Sequence, residues 1–189
     1  MKRYRVEAFE NLVESLQALP SIGKKSAIRL AYHMAMVDGF DAMKLAHAIE
    51  TAVNEVQPCI RCHNMSEDEL CAICSDEQRD SNILCIVQSA RDILTIEESG
   101  EFNGLYYVLS RIEDLNESHL KDAAGDVEEV IFAFPPSIAT DTMILYIEDK
   151  LEGLNLRFSK IAQGVPTGVD LENIDMVSLS RAMEARVRA

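Results

Sequence analysis

CIRCHNMSEDELCAIC, residues 59–74, holds four of the five cysteines of the chain. They stand as Cys59-x2-Cys62-x8-Cys71-x2-Cys74. Each Cys-x2-Cys pair turns the backbone tightly enough to aim two thiolates at one point. Two such knuckles complete a tetrahedral four-thiolate site, and Zn2+ is its usual occupant. Sulfur then fills every position, so no reactive water is held. Such an ion is structural and staples a segment of about 20 residues, too short to fold alone. An iron–sulfur or redox cluster fits the same spacing, and His63 is a competing ligand that four cysteines make unnecessary. Closely spaced cysteines read as metal ligands in the cytoplasm, where disulfides are rare. A cytoplasmic chain is expected here. No apolar run approaches the ~20 residues needed to cross a bilayer. The start, MKRYRVEAFENLVESL, carries no apolar stretch of the kind a signal peptide needs.

Upstream of the cysteines the period is helical. Val6, Phe9, Leu12, Val13, Leu16 and Leu19 predict an amphipathic helix over 5–18, broken by Pro20-Ser21-Ile22-Gly23. Ala27, Leu30, Ala31 and Met34 mark the buried stripe of a second helix, ended by Asp38-Gly39. Leu45, Ile49, Ala52, Val53 and Val56 mark that of a third, stopped at Pro58. Downstream, strands alternate with helices. Ile83–Val87, Leu105–Leu109, Val130–Phe134 and Leu156–Ala162 read as strands. Helices are predicted over 117–125, over 138–151 through Ile138, Leu145, Ile147 and Leu151, and over 177–187. Ser89 with Asp92 forms a capping-box pair for a further helix. Strands apolar on both faces with helical crossovers predict a mostly parallel sheet. Cys85, inside Ile83–Val87, is expected to be a buried core thiol.

The turn LPSIGKKSA, residues 19–27, joins the first two helices. The amides of the second helix's first turn lack intrahelical partners, and with the helix dipole they suit a phosphate. Lys25 and Arg29 lie four apart, on the face opposite Ala27, Leu30 and Ala31. That is the logic of a helix-hairpin-helix, which grips nucleic-acid backbone and not base sequence. An ordinary hairpin with a solvated basic face fits these residues as well. The net charge is -14, but residues 1–30 carry six basic and three acidic residues, and the remainder 12 basic and 29 acidic. A polyanion would bind the first part and be repelled by the second.

Hairpin, four-cysteine module and α/β segment, in that order, resemble the bacterial RecR family of recombination mediators. The stretches LPSIGKKSAIRLAYHM, the CIRC–CAIC pair, SGEFNGLYYVLS and IAQGVPTGVDLENIDMVSLSRAM carry the resemblance, which covers nearly the whole chain. It implies an α+β chain in four parts: a helix-hairpin-helix region over 1–56, a zinc finger over 57–77, a Toprim domain over 78–163, and a C-terminal loop and helix over 164–189 that makes oligomer contacts. It further implies no enzymatic activity. The expected protein is a ring-shaped tetrameric clamp on DNA, cytoplasmic and nucleoid-associated, that acts with RecO and RecF to load RecA on gapped or single-stranded DNA. The DNA contacts fall on Lys24, Lys25 and Arg29.

Three departures stand out. Ser21 occupies a place where the family usually has glycine. Catalytic Toprim domains bind Mg2+ through a glutamate after the first strand and an Asp-x-Asp after a later one. Here the first position is Gln88, and only Asp141 remains of the second. The body is strongly acidic. A Mg2+-dependent Toprim nuclease and a protein-interaction scaffold with little DNA contact are the competing readings. Tyr106, Tyr107 and Tyr146 are expected to be core residues and not nucleophiles. Glu97-Glu98 and Glu128-Glu129 are expected to be solvated faces, His33 and His47 packing or surface residues, and His119 has no evident partner. Gly164–Gly168 reads as a loop that lacks the lysine and spacing of a Walker A motif.

Overall fold

The computed structural model describes residues 6–162, 165 and 168–184. The basic residues Lys2, Arg3 and Arg5, and most of the Gly164–Gly168 loop, lie outside these. Two compact units divide between Val56 and Gln57.

The first unit is helical. Helices α1 (Glu7–Gln17) and α2 (Lys24–Tyr32) pack through Val13, Ala27 and Ala31, with Phe9, Leu12, Leu16 and Ile22 around them. Two alanines at the contact let the helix backbones approach closely. Beyond α2 one π-helical turn, His33–Val37, leads to Asp38, whose carboxylate accepts from the Asp41 amide at 3.0 Å and caps α3 (Gly39–Glu55). The expected buried stripe of α3 is not buried. No residue of the helix is, and Val53 is 76% exposed. The periodicity located an apolar face correctly, but it cannot say whether the chain itself covers that face.

The tight connection between α1 and α2 puts Ser21 at φ 66°. A side chain there costs roughly 1–2 kcal/mol that glycine avoids. Ser21→Gly should therefore stabilise the protein by about 1 kcal/mol in urea unfolding, despite the added freedom of the unfolded chain.

The second unit opens with a two-residue hairpin, β1 (Gln57–Pro58) with β2 (Met65–Ser66), and a single helical turn α4 (Ala72–Ser75). A sheet of four strands follows, β3 (Asp80–Val87), β4 (Gly104–Val108), β5 (Glu129–Ala133) and β6 (Arg157–Lys160), all parallel, in the order β4-β3-β5-β6. Helices α5 (Ala90–Ser99), α6 (Glu117–Ala124) and α7 (Ile138–Lys150) make the crossovers.

Alternate residues of the strands divide between two faces. Leu84, Ile86, Tyr107, Val130 and Phe132 pack on Leu120 and Ala124 of α6 and on Met143, Ile144 and Ile147 of α7. Cys85, Val87 and Tyr106 pack on Ile93 of α5. Burying each large apolar side chain contributes about 1.5–3 kcal/mol. The capping box of Ser89 and Asp92 forms as expected, and a second, Ser137 with Thr140, starts α7. Within α7 the expected stripe is half right. Ile147 and Leu151 are buried, but Ile138 is 87% exposed and Leu145 faces solvent with it, because Met143 and Ile144 fill the core in their place. Cys85 is buried as expected, and burial pushes its thiol up to about 12. Helix α8 (Met176–Glu184) ends the described chain.

Candidate functional site

The four cysteine sulfurs lie within 4.8 Å of one another. A tetrahedral Zn–S distance of about 2.3 Å requires sulfurs about 3.8 Å apart, and the Cys62 and Cys71 sulfurs are 3.5 Å apart. Local structure builds each half. The His63 amide donates to the Cys59 carbonyl (2.9 Å) and the Cys59 amide to the Asn64 carbonyl (2.7 Å), closing the first knuckle. His63 sits at φ 62° to make that turn. Cys71 opens α4, and its amide donates to the Cys59 sulfur (3.3 Å). Cys59, Cys62 and Cys71 are buried, Cys74 partly so. A thiol of Cys62 bonded to Cys74 holds Cys74 low, at about 6, and is itself pushed up. Sulfurs this close cannot all carry charge alone, and a divalent cation removes the conflict. His63 is turned away from the sulfurs, with Nδ1 3.3 Å from the Val108 carbonyl.

The module covers one edge of the sheet. The Val108 amide, on edge strand β4, donates to the Cys62 carbonyl at 2.9 Å. Adjacent tyrosines of β4 then secure the joint from opposite faces. Tyr107 donates to His119 Nδ1 (3.1 Å), and His119 Nε2 donates to the Ile60 carbonyl (2.7 Å). The His119 ring stacks on His63 with centroids 4.7 Å apart. Tyr106 donates to Glu97 (2.6 Å), whose carboxylate forks with Arg79, and Arg79 also reaches the Phe102 carbonyl. His119, expected to be without a partner, thus has three. Glu97 is no solvated residue, and Glu129 accepts from Ser159 at 2.6 Å and pairs with Arg157. The cue in the sequence was the pair Tyr106-Tyr107: two buried tyrosines on one strand need two hydroxyl partners, one on each face.

The bond to Arg79 holds the Glu97 carboxyl below its ordinary range. Its contribution to stability is therefore complete above the ordinary glutamate pKa and is lost as pH falls through the lowered folded value. Urea unfolding from roughly pH 7 down to pH 3 should show a shallower acid-side loss for Glu97→Gln than for the unsubstituted protein.

Gln88 and Asp141, expected to stand at Toprim acid positions, do not belong to any metal-holding group among the described residues. Gln88 follows β3, and its carbonyl accepts from the Ser110 hydroxyl at 2.8 Å. Asp141, in the first turn of α7, is paired with Lys160 at 3.0 Å. Among the described residues the four cysteines alone form a group of three or more side chains able to hold a metal.

In the helical unit Lys24, Lys25 and Arg29 are exposed on α2, and Ala27 and Ala31 are fully buried on the side opposite Lys25 and Arg29. None of the three cations has an ion pair among the described residues. Lys24 lines a shallow groove with Glu10 and Glu14, which places negative charge beside it. Lys25 and Arg29 are set apart from that groove.

Four family models match in chain order: RecR helix-hairpin-helix over 9–53, RecR four-cysteine zinc finger over 56–76, Toprim over 82–162, and RecR C-terminal over 164–187. With the sulfur cluster, the second gives the chain one structural zinc. Curated proteins named Recombination protein RecR are similar over almost the full length. That of a Nitratiruptor species is 56% identical over 97% of this chain and 98% of its own. That of Campylobacter jejuni is 54% identical over 97% of both. That of Helicobacter pylori is 48% identical over 96% of this chain and 95% of its own. The ordered parts, the zinc cluster and this likeness together make the chain a member of the RecR family of DNA recombination and repair proteins.

Proposed function

We propose that the chain is a non-enzymatic DNA-binding recombination mediator, a ring-like tetrameric clamp that acts with RecO and RecF to load RecA on gapped or single-stranded DNA in the cytoplasm. Its working parts are the hairpin region 1–56, the zinc module 57–77 with Cys59, Cys62, Cys71 and Cys74 as ligands, the Toprim domain 78–163, and the oligomer-forming tail 164–189. The observation that carries the reading is the pair Lys25 and Arg29, exposed on α2 and without ion-pair partners among the described residues, in a member of this family. Lys24 adds to the local positive charge. One hairpin gives a weak grip. Several hairpins in one particle multiply it, because each further contact forms at high effective concentration.

The Toprim domain serves as a scaffold in this account. A neutral Gln88 and an Asp141 already paired with Lys160 supply too few carboxylates for Mg2+-dependent strand cleavage. The zinc supplies folding energy alone: four thiolates close its coordination.

Native mass spectrometry of the zinc-loaded protein, followed by retention on closed circular DNA, tests the reading. The expected result is four chains with one zinc each, held on circles and shed when the circle is cut, with no strand cleavage in Mg2+. A monomer that binds no DNA, or Mg2+-dependent nicking abolished by Asp141→Asn, would overturn it.

A further inference from the structure

The side of α2 that carries the two cations also carries an aromatic ring. At about 100° per residue, Lys25, Arg29 and Tyr32 fall within an arc of about 60°. Ala27 and Ala31, both at 0% exposure, mark the opposite side. Tyr32 is 56% exposed. Neither its hydroxyl nor its ring face has a hydrogen-bond, cation–π or ring partner among the described residues. This contrasts with Tyr106 and Tyr107, whose hydroxyls are both bonded. An amphipathic ring left open beside two open cations is an unusual use of a tyrosine on a polar helix face.

We infer that Tyr32 is a base-stacking platform that makes the hairpin prefer unpaired DNA. The inference rests on the reading of Lys25 and Arg29 as phosphate contacts and adds the substrate class. Cations grip a phosphate in single- and double-stranded DNA alike. A base presents its π-face only where it is unpaired, and an aromatic side chain beside a cationic track is the arrangement that takes such a base without reading its identity. From Lys25 to Tyr32 the helix rises about 10 Å. A strand held by its phosphate at Lys25 and Arg29 can therefore lay a neighbouring base on the ring, with Ile28 adding apolar surface beside it. In a duplex the same ring meets only sugar edges. The charge of the stripe selects a polyanion as the occupant.

Equilibrium binding of the full zinc-loaded protein to three labelled probes tests this: an oligothymidylate, a duplex of equal length, and the same single strand made abasic. Tyr32→Ala should lose about 5- to 150-fold in affinity for the oligothymidylate, the range that base–aromatic stacking spans, and leave duplex and abasic binding unchanged. Tyr32→Phe should bind as the unsubstituted protein does. Lys25→Ala should weaken all three probes. If Lys25→Ala weakens all and Tyr32→Ala weakens none, or weakens all equally, stacking is overturned and the phosphate contact stands. If Lys25→Ala weakens none, the hairpin reading itself fails and the inference falls with it. If Tyr32→Ala alters the native mass, the ring belongs to a contact between copies and the inference is overturned.

Discussion

Cys71→Ser should release the zinc and unfold the segment from Gln57 to Ser75. Cys71 is buried, starts α4, and donates its amide to the sulfur of Cys59. The serine oxygen is a poor zinc ligand, and three remaining thiols crowd without the charge that reconciles them. Structural zinc contributes about 10–16 kcal/mol in isolated fingers, and losses above about 4 kcal/mol are characteristic of a removed metal. The segment buries almost nothing else of its own. Beyond the cysteines, its core includes only the partly buried Ile73. The damage should spread to the sheet edge, because the Cys62 carbonyl holds the Val108 amide and the Ile60 carbonyl holds His119. Zinc content should fall from one per chain to none. Hydrogen exchange should quicken over 57–75 and at Val108, while the α1–α2 pair keeps its protection. A strong chelator should give the same pattern in the unsubstituted protein.

Gly104→Ala should cost about 3 kcal/mol, the upper part of the range for forcing atoms into a packed core. A Cβ at this position meets the Phe102 ring at 2.5 Å and the Ile83 carbonyl at 2.8 Å. The carbonyl belongs to the backbone of β3 and cannot move without disturbing the ladder between β3 and β4. Phe102 is held in turn against Tyr106, with ring centroids 5.0 Å apart. Gly104 thus marks where the turn before β4 passes close to the central strand, a common use of glycine inside a sheet. Gly39→Ala is the matched control. It lies at the start of α3 with nothing within 4 Å, and it should be neutral or slightly stabilising. Urea unfolding of both variants measures the difference.

The features that could be read from the sequence are those set by short-range spacing. The four cysteines declare a tetrahedral site within 16 residues. Ser89 and Asp92 close a capping box across three. The apolar runs around Ile86 and Phe132 declare strands buried on both faces. Two kinds of feature were not legible. The first is what covers an apolar face: α3 has the period of a buried helix, yet Val53 is exposed, because period reports a stripe and not its partner. The second is any pair joined only by the fold. His63 and His119 stack because the zinc module docks on β4, and no local pattern links them. Glu97 looked solvated beside Glu98. Only the docking of the 76–79 connection on α5 brings Arg79 to it. At the hairpin, Lys25 and Arg29 were legible as an exposed pair, and the strained Ser21 as a departure with a physical consequence.

DNA affinity measured as a function of salt, for the unsubstituted protein and for the double variant Lys25→Ala, Arg29→Ala, tests the hairpin contact most directly. Each phosphate contact on duplex DNA contributes about 0.9 to the slope of log affinity against log salt. Removing two cations per hairpin should lower that slope by about 1.8 for every hairpin engaged, and weaken binding at all sequences alike, with zinc content and native mass unchanged. An equal affinity and an equal slope for the two proteins would contradict the account.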